Sequence, residues 1–280
     1  MNRKKAGKLA LNYLFLVVIG LLMVYPLLWM VSASFKTNNE IFSSISLIPK
    51  QILTNGYKDG WKGSGQYSFS LYFSNTFTMV IPTVLLTVVS SVLVAYGFAR
   101  FRFIGKGILF TLVIASLMLP NEVIIIPRYM VFNSLGWLNT YLPFIVPAAF
   151  ATYSFFIFML IQYIRSIPKE LDESATIDGC NSFMILVKVI LPLMIPAIIS
   201  VVIFQFVWRW NDFLNALIYI SSVRKYPVSL ALRMSLDVTD TITWNQTMAM
   251  SVLSMLPPII LFFLTQKYFV EGIATTGIKG

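Results

Sequence analysis

Six long apolar runs leave this chain few folds to choose from. A bilayer's hydrocarbon core is about 30 Å thick and a helix rises 1.5 Å per residue, so about 20 apolar residues cross it. Runs of that kind occupy residues 9–29, 76–99, 108–126, 141–164, 193–220 and 248–269. Of the 280 residues 58% are hydrophobic and 11% charged, too few charges to coat a soluble globule of this size. The expected fold is an all-α integral membrane protein with six transmembrane helices in a single domain over 1–280. The fifth run is interrupted by Gln205, Arg209, Asn211 and Asp212, and the sixth by Pro257 and Pro258, so both are expected to face protein rather than lipid.

The same composition removes whole classes of function. There is no His and a single Cys, Cys180. Imidazole is therefore absent as metal ligand, base or proton relay, no internal disulfide can form, and no nucleophile and base pair of the usual kind can be assembled. Lys and Arg outnumber Asp and Glu by 21 to 11, an excess explained by cations flanking spans, with no need of nucleic acid.

Those cations also orient the chain. Arg3, Lys4, Lys5 and Lys8 precede the first run, and Arg100, Arg102 and Lys106 crowd the link between the second and third. Short connections rich in Lys and Arg stay on the cytoplasmic side. Both termini are then expected in the cytoplasm, with segment 34–75 outside as a loop on the outer membrane face, its aromatic residues separated by glycines that include Gly56 and Gly60. The first run is longer than a secretory signal's apolar core of about 7 to 15 residues and is read as an uncleaved span. Trp29, Tyr72, Trp137, Tyr141, Tyr163 and Tyr268 lie near span ends, as interfacial anchors do. The sequon Asn245-Gln246-Thr247 is taken as coincidental.

The cytoplasmic connection 165–192 carries the most information. Pro168 suits a helix start and Gly179 a left-handed helix stop, which predicts a short helix between them. Glu170, Asp172 and Glu173 sit where the helix dipole favours anions. Leu171 and Ala175 share one face, Ser174 and Asp178 another. So short a helix is marginal alone: it either caps a simple connection or docks on something.

Glu173-Ser174-Ala175, then Gly179 after three residues, then Val189-Ile190-Leu191-Pro192 after nine more, resembles the signature loop of permease subunits in binding-protein-dependent ABC importers. The family pattern has Ala where Ser174 stands and Ile where Val189 stands. Asn133 to Tyr141, Trp210-Asn211-Asp212-Phe213, Phe269-Val270-Glu271-Gly272-Ile273 and the closing Gly277-Ile278-Lys279-Gly280 resemble its sugar-transporting branch, in particular the maltose-type second permeases. The resemblance implies that the loop helix is a coupling helix, seated in a cleft of a cytoplasmic ATPase. Glu173 and Asp178 would make polar contacts there, Ser174 and Ala175 allow close backbone approach, Gly179 form the turn, and Leu191-Pro192 mark re-entry into the membrane. It implies as partners a second, non-identical permease, two ATPase subunits, an extracytoplasmic solute-binding protein and membrane lipid. The location would be a bacterial or archaeal cytoplasmic membrane, and the solute a sugar, in the first place an oligosaccharide. This chain has no phosphate-binding Gly-rich run followed by Lys and a hydroxyl residue, so no cofactor is expected in it, with ATP and Mg bound by the partner ATPase. It is then a transporter subunit and not an enzyme.

Ionisable groups within spans mark a solute path or a structural pair. Asn121, Glu122, Arg209, Trp210, Asn211 and Asp212 are the candidate path residues, with an Arg209–Asp212 pair as the competing reading. Ser91, Ala95 and Ala99 form a small-residue seam suited to close helix packing, with the second permease as a candidate partner. Two other functions remain: a permease for another solute such as a phosphorylated polyol, and an ion-coupled secondary transporter resting on Glu122 and Asp212.

Overall fold

The computed structural model describes residues 3–63, 67–236 and 243–276, with side chains described from Leu9 to Lys267 apart from Ala10 and the gaps between those ranges. The N-terminal cation cluster, Tyr268 and the C-terminal stretches 269–273 and 277–280 lie outside the described side chains. In chain order the helices are α1 (Arg3–Ala33), α2 (Asn38–Ser43), α3 (Asn55–Lys62), α4 (Phe69–Arg100), α5 (Lys106–Leu117), α6 (Asn121–Ser134), α7 (Leu142–Ala149) and α8 (Ser154–Ser166). They continue as α9 (Glu170–Ile177), α10 (Ser182–Ile185), α11 (Leu191–Leu193), α12 (Ile195–Trp210), α13 (Phe213–Tyr219), α14 (Val228–Met234) and α15 (Trp244–Thr276). Among the described residues there is no strand.

Four stretches are long and apolar enough to cross a membrane: Leu11–Ala33, Phe69–Arg100, Leu142–Ser166 and Trp244–Lys267. The third of these, the expected fourth span 141–164, is interrupted between α7 and α8, where Ala151 takes φ 55°. Two bent pairs, Lys106–Leu117 with Asn121–Ser134 and Ser182–Leu193 with Ile195–Trp210, raise the number to six if each crosses once. The expected third span, 108–126, is therefore not one helix: the chain turns by 108° between α5 and α6. Pro120 is the cause, since its ring disfavours helical geometry at Leu119 and its own backbone is extended at ψ 141°. The expected fifth span, 193–220, is also broken. A 76° bend precedes α12, and α12 stops at Trp210 because Asp212 leaves the helical region (ψ 87°) to cap α13. Pro257 and Pro258, by contrast, lie inside α15, which continues through them.

The chain divides into two compact units, Met1–Leu71 with Ala231–Leu256, and Tyr72–Leu230 with Pro257–Gly280. The expected outer loop 34–75 is more than a surface loop, because its part in the first unit contains α2 and α3. Gly56 and Gly60, four apart on α3, let that helix lie against the start of α15: an added Cβ at Gly56 would sit 3.0 Å from the Asn245 carbonyl oxygen. The Trp244 amide donates to Asn38 Oδ1 at 3.0 Å, and the Trp244 ring meets Phe42 edge-on at 5.4 Å. Asn245 is buried, which removes the sequon as a glycan acceptor in this fold.

In the second unit, one face of α4 (Val92, Ala95, Tyr96, Ala99) packs with Phe156, Leu160, Ile161 and Ile164 of α8 and with Ile185, Ile190 and Val201. Ser91, Ala95 and Ala99 are all buried here. The small-residue seam thus serves this chain's own core. Inside the core Gln205 donates to Thr87 Oγ1 at 3.0 Å, with both side chains fully buried. Asn139, at φ 57°, donates its amide to the Tyr219 carbonyl at 2.7 Å and accepts from the Ser222 amide at 3.0 Å. That bond pair fastens the α6–α7 connection to the end of α13 and the segment after it.

Candidate coupling site

The connection after α8 folds into a short helix with two distinct faces. Lys169 is its N-cap and Glu170, Asp172 and Glu173 lie in its first turn. Its end is a Schellman arrangement: the Cys180 amide donates to the Ala175 carbonyl at 2.9 Å and the Gly179 amide to the Thr176 carbonyl at 3.0 Å. Gly179 adopts φ 83°, a conformation costly for residues with a Cβ. Gly179→Val is accordingly expected to destabilise the loop by about 1–2 kcal/mol, read as faster amide hydrogen exchange over α9 than in the unchanged protein.

Asp172 and Ala175 form the inner face. Ala175 is buried in the same cluster as Tyr96, Ala99 and Ile164. Asp172 Oδ2 lies 2.6 Å from Arg100 Nε of α4. Burial pushes the Asp172 carboxyl above its ordinary value, against the opposing pull of Arg100 and Lys169. Glu170, Glu173, Ser174, Ile177 and Asp178 are exposed, Ile177 to 87%. The geometry separates Ser174 and Ala175, expected side by side at a docking face: Ser174 faces out, while Ala175 faces the chain's own core.

Beyond Gly179, Asn181 Oδ1 accepts from the Met184 amide at 2.9 Å and starts α10. A π turn, Leu186–Ile190, follows, closed by the Leu191 amide donating to the Leu186 carbonyl. Pro192, which has no amide proton, comes next, and the chain bends before α12. Leu191 and Pro192 thus occupy a helix irregularity just before that bend.

The candidate path residues fall into two local groups. Asn121 and Glu122 open α6, where Asn121 Oδ1 accepts from Arg128 Nη1 at 3.2 Å and Glu122 is exposed. Arg209 Nη1 lies 2.5 Å from Asp212 Oδ2, and Arg209 also sits over the Tyr153 ring at 5.4 Å. Asp212 Oδ1 accepts from the Asn215 amide at 3.2 Å and from Asn215 Nδ2 at 2.8 Å. Arg209 and Asp212 therefore form the structural pair. Trp210 is 3% exposed and stacks on Phe206 at 5.3 Å, so it presents no open aromatic face in this conformation. Asn211 is exposed, with its Nδ2 donating to the Val207 carbonyl at 2.9 Å. Three residues of consequence give no sign of it in the sequence: Arg100, which reads there only as a flanking cation, and Tyr96 and Gln205, whose partners are remote along the chain.

Several helices long and apolar enough to cross a membrane mark a multi-pass membrane protein. The family model described as the binding-protein-dependent transport system inner membrane component matches residues 88–275. The probable ABC transporter permease protein YurM of Bacillus subtilis (strain 168) is 36% identical over 268 residues, covering 96% of this chain and 87% of that one. The arabinooligosaccharides transport system permease protein AraQ of Halalkalibacterium halodurans is 32% identical over 265 residues, covering 94% of this chain and 93% of that one. A chain from the crystal structure of a bacterial ABC transporter involved in the import of the acidic polysaccharide alginate shares the fold, with TM-score 0.84, 22% identity, and coverage of 96% and 99%. This chain belongs to the family of inner membrane components of binding-protein-dependent transport systems. Its relatives are transport components, not enzymes.

Proposed function

We propose that this chain is one of two non-identical permease subunits of an ATP-driven importer of oligosaccharides, coupled to a separate ATPase through the exposed face of α9. The observation that carries the reading is the two-faced helix. Its inner face is held by the chain's own core, while Glu173, Ser174 and Ile177 face away from it. An apolar knob ringed by carboxylates suits a cleft on a partner carrying cations. The naming of AraQ for arabinooligosaccharides supports a carbohydrate as solute, and the family's description supports an extracytoplasmic binding protein. In this reading the chain forms half of the solute path, both termini are cytoplasmic, the six spans include the two bent pairs, and ATP with Mg is bound by the ATPase subunits. Closure of the ATPase pair on ATP moves α9 and shifts the permeases between inward-open and outward-open states.

The test is co-purification with co-expressed partner subunits. An ATPase is expected to co-purify, with turnover raised by a sugar-loaded binding protein; solute movement by this chain alone down an ion gradient would overturn the reading. Glu122, exposed in the first turn of α6, is the carboxylate best suited to meet solute hydroxyls. Glu122→Gln is expected to weaken apparent affinity in uptake by about tenfold, and unchanged uptake would remove it from the path.

A further inference from the structure

We propose that Tyr96 and Arg100 of α4 are positioning residues that staple the C-terminal end of α4 to the coupling helix, so that α4 moves with α9 when the ATPase moves it. This rests on the docking reading above. Tyr96 and Arg100 are one helical turn apart on α4. Tyr96 Oη donates to the Ser182 carbonyl at 3.0 Å, just after the coupling helix. Arg100 Nη2 donates to the Ile167 carbonyl at 3.0 Å, just before it. Arg100 Nε meets Asp172 Oδ2 at 2.6 Å, within it. One face of one helix therefore holds the loop before, inside and after α9, and Ala175 packs in the same cluster as Tyr96.

The ion pair is poorly suited to a purely stabilising role. The Arg100 and Asp172 side chains are 5% and 20% exposed, and Asp172 Oδ1 is buried with no hydrogen-bond partner among the described residues. Burial raises the Asp172 carboxyl's pKa despite Arg100. A well-packed apolar pair would hold the fold at least as firmly. What the charges add is register, since sliding α9 along α4 would strand both in the core. The helix so gripped is 32 residues long, about 48 Å at 1.5 Å per residue, so a displacement at one end reaches the opposite side of the membrane.

The experiment reconstitutes the full importer in liposomes and measures solute imported per ATP hydrolysed, together with the ATPase retained on purification. Arg100→Asp and Asp172→Arg are each expected to lower that ratio by about tenfold with the ATPase retained, and the double reversal to restore it to within about threefold. Unchanged ratios in the single reversals, or a double no better than the worse single, overturn the staple. If a reversal prevents accumulation in the membrane, Arg100→Gln takes its place: a lowered ratio with the ATPase retained supports the staple, and an unchanged one overturns it. Glu173→Lys runs in parallel. Normal import by that variant would sink the docking reading itself, whereas its failure beside normal Arg100 and Asp172 variants sinks only the staple.

Discussion

Glu173→Lys is expected to reduce solute uptake by about a hundredfold or more while leaving the chain inserted in the membrane. Glu173 is exposed on α9, on the side away from Asp172 and Ala175. Exchanging an exposed side chain of this kind changes fold stability by no more than about 0.5 kcal/mol. At an interface with a cationic partner the same exchange puts like charges together and costs about 3 kcal/mol or more, a hundredfold in the docked population. Uptake and membrane content measured side by side separate these effects. Normal uptake at normal content would remove Glu173 from the interface.

The second large effect concerns the first unit. Gly56→Leu is expected to lower stability by about 2 kcal/mol or more, because overpacking a tight site forces its backbone apart. An added Cβ would lie 3.0 Å from the Asn245 carbonyl oxygen and 3.1 Å from that of Ser34, both backbone atoms. Gly97 of α4 is the internal control, since a Cβ there meets nothing within 4 Å. Gly97→Ala should be neutral or stabilising by about 0.5–1 kcal/mol. Thermal unfolding of the purified chain distinguishes the two; equal melting temperatures for both variants would refute the close packing of α3 on α15.

The apolar runs are legible in the sequence because hydrocarbon thickness sets span length directly, and α1, α4 and α15 cover the runs that predict them. Interruptions are less so. Pro120 lies inside an apolar run, where sequence alone does not say whether a proline kinks a helix or ends it. Asp212 reads as a charge within a span, yet it caps α13 and pairs with Arg209. Gly56 and Gly60 read as loop separators because the surrounding segment is polar, and only the opposing α15 reveals them as packing positions.

In the loop that carries α9, Gly179 can be read locally, since a helix stop depends on neighbours in sequence. Which face of α9 points inward cannot, because that is decided by Arg100, far away in sequence on α4. The same limit applies to Ser91, Ala95 and Ala99: their spacing signals close packing but does not name the partner, which is the chain's own core.

The coupling role of α9 is tested most directly by a cross-link from its outer face. Ile177, 87% exposed, is replaced by Cys in a Cys180→Ser background, and the intact importer is treated with a short thiol-reactive cross-linker. A product joining this chain to the ATPase subunit is expected, with no reaction at position 177 towards an impermeant reagent added outside intact cells. Labelling of position 177 from outside, with no cross-link to the ATPase, would contradict that role.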